Sequence, residues 1–193
     1  MDIHSREFTI FLGVLLCIFI YTNFIRKSLH LDLVKSNINN QEYYVRKLPD
    51  KQEAADKLAQ LSIDLHRLVD LVKDKDREGC KKLEEKFNSD IITENIPGSR
   101  YVAYSVNKGD ELSICIREKD TEKFIDKNTV NFVAIHEMAH IMTSETGHTP
   151  LFWDNMKFLL EQGQEIGIYD PQNYKQNPVI YCGQEINSTP MDL

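Results

Sequence analysis

The chain has 193 residues, a net charge of -7, and a composition that is 41% hydrophobic and 27% charged. This is an ordinary globular balance, with room for one domain and an appendage. There is no long Lys/Arg run, and without the basic face that such binding needs, no nucleic-acid partner is expected.

Residues 8–25 read FTIFLGVLLCIFIYTNFI, 18 residues without a charge between Glu7 and the pair Arg26-Lys27. A helix crossing a bilayer needs roughly 17–25 apolar residues, and Tyr21 suits an interface. The preceding segment mixes Asp2, Arg6 and Glu7, and no small-residue cleavage site follows, which favours a retained anchor over a cleaved signal peptide. Residues 1–26 are therefore expected to be a single-pass membrane anchor. Arg26, Lys27 and Lys35 follow the span and only Arg6 precedes it, which places the C-terminal domain on the cytosolic side. The sequon Asn187-Ser188-Thr189 would matter only in a luminal domain. The cysteines Cys17, Cys80, Cys115 and Cys182 form no C-x-x-C pair. With Cys17 in the apolar run, the odd three left over fit a reducing compartment better than a disulfide framework, and Cys182 reads as a lone buried thiol.

Residues 27–49 are polar and Asn-rich and read as a linker or a short helix, ahead of a folded domain over residues 50–193. Asp50 is placed to cap a helix, with Glu53 three residues on in a capping-box arrangement. Ala54, Leu58, Leu61, Leu65, Leu68 and Val72 then recur at spacings of 4, 3, 4, 3 and 4, one apolar stripe of an amphipathic helix facing the domain core. Self-association through that stripe is a weaker alternative, because only about three heptads are present. His66 falls off the stripe and reads as a surface residue. From residue 100 the period changes to two: YVAYSV and ELSICIR flank NKGD, which predicts a β-hairpin of strands 101–106 and 111–117. Asn128 is placed to cap the next helix, TVNFVAIHEMAHIMTSE, whose core face is Phe132, Ile135, Ala139 and Met142 and whose end falls near Gly147. A further helix is expected over 150–162, with Pro150 in its first turn. The last thirty residues show little periodicity.

The chemistry lies in HEMAHIMTSETGHTPLFW, residues 136–153. His136 and His140 stand one helical turn apart on one face, a separation at which two imidazoles can share one tetrahedral zinc. Glu137, next to the first of them, points beside the metal, where it can take a proton from the attacking water. His148 follows eight residues after His140, with Gly147 free to turn the chain back, and three protein ligands plus one open position define a catalytic zinc site. Glu145 and Glu161 are competing third ligands. Thr143 stands where the pattern H-E-x-x-H-x-x-G-x-x-H has glycine. Tyr104, Tyr169, Tyr174 and Tyr181 are candidates to stabilise an oxyanion, and the spacing does not choose among them. The hairpin can offer an edge for an extended peptide, through residues 111–117.

HEMAHIM and GHTPLFW, with YSVNKGDELSICIR and NTVNFVAIHEMAH before them, resemble the WLM-type and SprT-like metalloproteases, particularly versions found in large DNA viruses. The resemblance covers residues 50–183 and is sharpest over 128–153. It implies a compact α+β, zincin-like fold and zinc-dependent proteolysis of a protein or peptide substrate, with Zn2+ on His136, His140 and His148 and with Glu137 as the base. The turn between His140 and His148 is about two residues longer than in many members. An anchor at 8–25 and the lack of a basic tail mean that proteolysis of DNA-crosslinked proteins is not carried over. The combined expectation is a membrane-anchored zinc endopeptidase. The alternative is a non-catalytic structural protein of a membrane or a virion that keeps the zinc-binding fold. Oligomeric state is open.

Overall fold

The computed structural model describes residues 3–20, 29–88, 92–99, 101–106, 109 and 111–191. Helix α1 (Ile3–Ile20) carries the N-terminal apolar run, and Phe8, Phe11, Leu12, Leu15 and Leu16 on it are all exposed. The expected membrane span, residues 8–25, falls only partly within the described residues. α1 starts at Ile3 and so spends its first turns on the segment IHSRE, and its apolar part begins only at Phe8. Among the described residues no helix is long and apolar enough to cross a membrane. The last part of the expected span, residues 21–25, lies outside the described residues, as do Arg26 and Lys27.

Helix α2 (Lys51–Val72) forms on the predicted stripe, and Ala54, Leu58, Leu61, Leu65, Leu68 and Val72 are all buried. They pack inside this chain, against both strands of the first hairpin and against helix α3 (Cys80–Lys86), which rules them out as a self-association surface. His66 is exposed beside Asp70, as expected. The first hairpin corrects the reading of 27–49 as linker or helix. Strand β1 (Leu31–Lys35) pairs antiparallel with β2 (Glu42–Arg46), and Leu31, Tyr43 and Val45 are buried. The Asn-rich SNINNQ between them is a turn, closed by the Ser36 amide donating to Gln41 O at 2.8 Å; it hid two short alternating strands.

The central sheet has the order β3-β5-β4: β3 (Ile92–Glu94) runs parallel to β5 (Glu111–Ile114), and β4 (Ala103–Val106) runs antiparallel to it. The predicted hairpin is therefore present, although Lys108 of its turn lies outside the described residues. Its exposed edge differs from expectation. β5 is flanked on both sides and β4 is the edge, because the third strand comes from residues that carry no period-two signal.

Just past β5, Arg117 is only 2% exposed. Its guanidinium donates to Glu94 at 2.8 Å and to both carboxylate oxygens of Asp50 at 2.7 and 2.8 Å, under the Phe124 ring at 4.0 Å. Asp50, expected as a helix cap, makes no side-chain cap bond because its carboxylate is spent on Arg117. That bond holds Asp50 below the usual carboxylate range.

Helix α4 (Lys127–Met142) carries the motif and packs on α3, on β4 and on helix α5 (Pro150–Glu165). Its cap is Asp126, not Asn128: Asp126 accepts from the Thr129 amide at 2.9 Å and from the Thr129 hydroxyl at 2.7 Å. Asn128 instead trades bonds in both directions with the backbone of Asp170. Asp126→Ala is expected to cost about 1–2 kcal/mol, read as a lowered urea midpoint at unchanged slope. α4 ends at Met142, ahead of Gly147, where the Thr143 hydroxyl folds back onto Ala139 O at 2.7 Å. The C-terminal residues add a small hairpin, β6 (Val179–Tyr181) with β7 (Gln184–Ile186). A disulfide joins Cys115 to Cys182, with Cα atoms 6.5 Å apart and a sequence separation of 67. This corrects the reading of Cys182 as a lone thiol and of the cysteines as an unpaired, odd set. Cys80 is buried and free.

Candidate metal centre

α4 sets the first two imidazoles. Phe132, Ile135, Ala139 and Met142 hold one face in the core, as predicted, which leaves His136 and His140 on the face turned towards a cleft of about 630 Å³. Gly147, at φ +86, lets the chain return, and His148 comes back over the helix. The ligand nitrogens of His136, His140 and His148 lie within 4.8 Å of one another, and the Nε2 atoms of His136 and His148 are 3.1 Å apart. Glu145 lines the same cleft without joining the nitrogen cluster, and Glu161 does not line it.

α5 buttresses this arrangement. Thr149 caps it by accepting from the Phe152 amide, and Pro150 occupies the first turn as predicted. That start places Phe152 and Trp153 directly behind the histidines. Phe152 is fully buried and stacks on His140 with ring centroids 4.3 Å apart, and Trp153 lies 5.4 Å from His148. The aromatic pair fixes ring orientations that α4 alone would leave free.

The donors fit a divalent metal. Burial, with His140 and His148 beside it, lowers the His136 pKa to about 3, so its ring is neutral and offers a lone pair. Tetrahedral zinc at about 2.0–2.1 Å sets its ligand nitrogens roughly 3.3–3.4 Å apart, close to the His136–His148 separation. Three imidazoles with no thiolate leave an open fourth position and suit zinc.

Glu137 is buried at the floor of the cleft, beside but outside the nitrogen cluster. Burial raises its pKa to about 7, opposed by a hydrogen bond from the Ser105 backbone amide. Ser105 belongs to β4, so the edge strand and the motif helix meet at the candidate base. Sequence reasoning placed Ser105 on a strand but missed this contact, because a period of two does not say which strand is the edge.

The four tyrosine candidates separate. Tyr169 and Tyr174 pack around Phe132, with centroids 5.9 and 4.7 Å away, and do not line the cleft. Tyr181 lines it, but its hydroxyl donates to Cys115 O at 2.7 Å, and burial pushes its pKa up. Tyr104 lines the cleft from β4, next to Tyr101. Asn187 and Ser188 of the sequon lie on the rim.

A family model for the WLM domain matches residues 40–190. The chain belongs to the WLM domain family. WLM domains are metalloprotease-like, and the match begins at residue 40, ahead of the region 50–183 that resembled them, and takes in β2. One relative, the uncharacterized protein R325 of Acanthamoeba polyphaga mimivirus, is 35% identical over 164 residues, covering 80% of this chain and 81% of that protein. The uncharacterized protein 042R of Invertebrate iridescent virus 3 is 36% identical over 70 residues, covering 36% of this chain and 43% of that one. The crystal structure of Wss1 from Saccharomyces cerevisiae shares the fold, with a TM-score of 0.52 at 17% identity over 70% of this chain and 97% of Wss1.

Proposed function

We propose that this WLM chain is a zinc-dependent endopeptidase. One observation carries the reading: three imidazole nitrogens converge at a cleft floor beside a buried carboxylate, under an open strand edge. His136, His140 and His148 would hold the ion. Zinc bound there would supply Lewis acidity at the peptide carbonyl and lower the pKa of water.

The chain's own groups do the rest. Glu137 takes a proton from the attacking water and returns it to the leaving amine. The Ser105 amide orients that carboxylate from the side of β4. Val102 O accepts from the Cys115 amide, so residues 102, 104 and 106 turn their backbone groups to β5, while 103 and 105 turn theirs outward. The Ser105 amide is already committed to Glu137. An extended substrate would therefore pair with Ala103 and the Ser105 carbonyl. Tyr104, on the same strand, is the tyrosine left to approach an oxyanion.

Metal content by mass spectrometry tests the ligand set. The native chain is expected to hold one zinc, and His148→Ala to lose most of it. Full retention by that variant would assign the third position elsewhere, with Glu145 the nearest carboxylate along the turn. Zinc binding without cleavage of any peptide in a broad library would favour the non-catalytic structural reading.

A further inference from the structure

We propose that the Cys115–Cys182 disulfide is a positioning device for the cleft. It pins a wall of the substrate site, and its reduction loosens that wall and weakens substrate binding. The inference rests on the peptidase reading of the cleft, but the pinned wall can be observed without it.

Tyr181, Gln184, Glu185, Ile186, Asn187 and Ser188 line the cleft, and they all come from the β6–β7 hairpin and the residues just after it. Each strand of that hairpin has three residues. A two-stranded hairpin of this size is marginal by itself and must be held from outside. Val179 and Ile186 are only partly buried against the core, and the hairpin's buried side chains are Tyr181 and Cys182 at the turn. Two specific ties end on one residue, Cys115: the Tyr181 hydroxyl donates to its carbonyl at 2.7 Å, and Cys182 is bonded to its sulfur. Cys115 directly follows β5, the strand that carries the edge strand β4. The strap therefore fixes the hairpin relative to the strand along which a substrate would lie.

The turn points the same way. Cys182 at φ 51 and Gly183 at φ 83 form a two-residue turn in the left-handed region, joining Tyr181 to its partner Gln184. Such turns favour Asn-Gly. A cysteine there is strained and persists when its surroundings over-determine it. The bond to Cys115 does so. Once it is cut, the turn has reason to relax.

The chemistry balances simply. A dithiol reductant delivers two electrons and two protons, the S–S bond breaks, two thiols form, and the dithiol becomes a disulfide.

The test uses the full zinc-loaded chain, oxidised or treated with a water-soluble phosphine, which takes up oxygen from water and does not compete for zinc as a dithiol would. Alkylation should find two additional thiols after treatment. Hydrogen exchange over residues 179–188 should quicken about tenfold while α2 and α4 keep their protection. KM for a peptide should rise about tenfold with kcat within about twofold, the pattern of lost uniform binding. Tyr181→Phe, which keeps the disulfide, should shift KM in the same direction by less. Unchanged exchange and KM, or exchange rising equally throughout α2, would overturn the proposal. If exchange responds at the hairpin but neither form cleaves any peptide, the strap stands and the peptidase reading falls.

Discussion

Replacing Glu137 with Gln is expected to cut peptide cleavage by about 10³-fold, within the range a positioned general base contributes. The amide keeps the size of the side chain and can still accept from the Ser105 amide, so the contact between α4 and β4 should survive. It cannot take a proton from water. Zinc content should be unchanged, because Glu137 stands outside the cluster of His136, His140 and His148. The deciding measurement is kcat/KM beside metal content on the same preparation. A variant with full zinc and native turnover would remove Glu137 from the chemistry. A variant that loses zinc would make it a ligand or a support for one.

The largest effect on stability is expected at Arg117. Arg117→Ala leaves Glu94 buried without its hydrogen-bonded cation, with only the charge of Arg46 nearby, and should destabilise the fold by about 3–5 kcal/mol, the cost of breaking one side of a buried ion pair. The pH dependence gives the mechanism a signature. Burial already raises the Glu94 pKa, and the hydrogen bonds and charge of Arg117 oppose that rise. Without Arg117 the folded-state pKa climbs further above the unfolded value of about 4.3. A raised carboxyl contributes stability below its unfolded pKa and loses it as pH rises through the folded one. The deficit of the variant should therefore be large at pH 7 and shrink towards pH 4 in urea titrations. Adding Glu94→Gln to Arg117→Ala should recover part of the loss at pH 7. A deficit independent of pH would assign the cost to lost packing against Phe124 rather than to stranded charge.

Much of this site is legible in the sequence, because His136 and His140 share the period of the helix that carries them. The motif on α4, its core face, the turn at Gly147 and the aromatic pair opening α5 all follow from local spacing, and the three histidines come together as the motif implies. What the sequence hides is pairing at a distance. Asp50 and Arg117 read as a cap and a strand end and Glu94 carries no signal at all, yet the three form one ion-pair cluster. Cys115 and Cys182 look like an odd remainder until the fold closes their sequence separation of 67. Strands of three residues, such as β3 and β6, are too short to show a period. Without β3 the edge of the hairpin is assigned to the wrong strand.

The strand order β3-β5-β4 also fixes when this domain can assemble. The middle strand is the last of the three to leave the ribosome. A nascent chain that ends before Glu111 carries β3 and β4 with nothing between them, two short segments whose common partner does not yet exist. Once Ile114 is available, both can dock on it, and the next regular element to emerge is α4 with its histidines. The motif helix thus arrives at a sheet that can already receive it, and the hairpin that lines the cleft is translated after both.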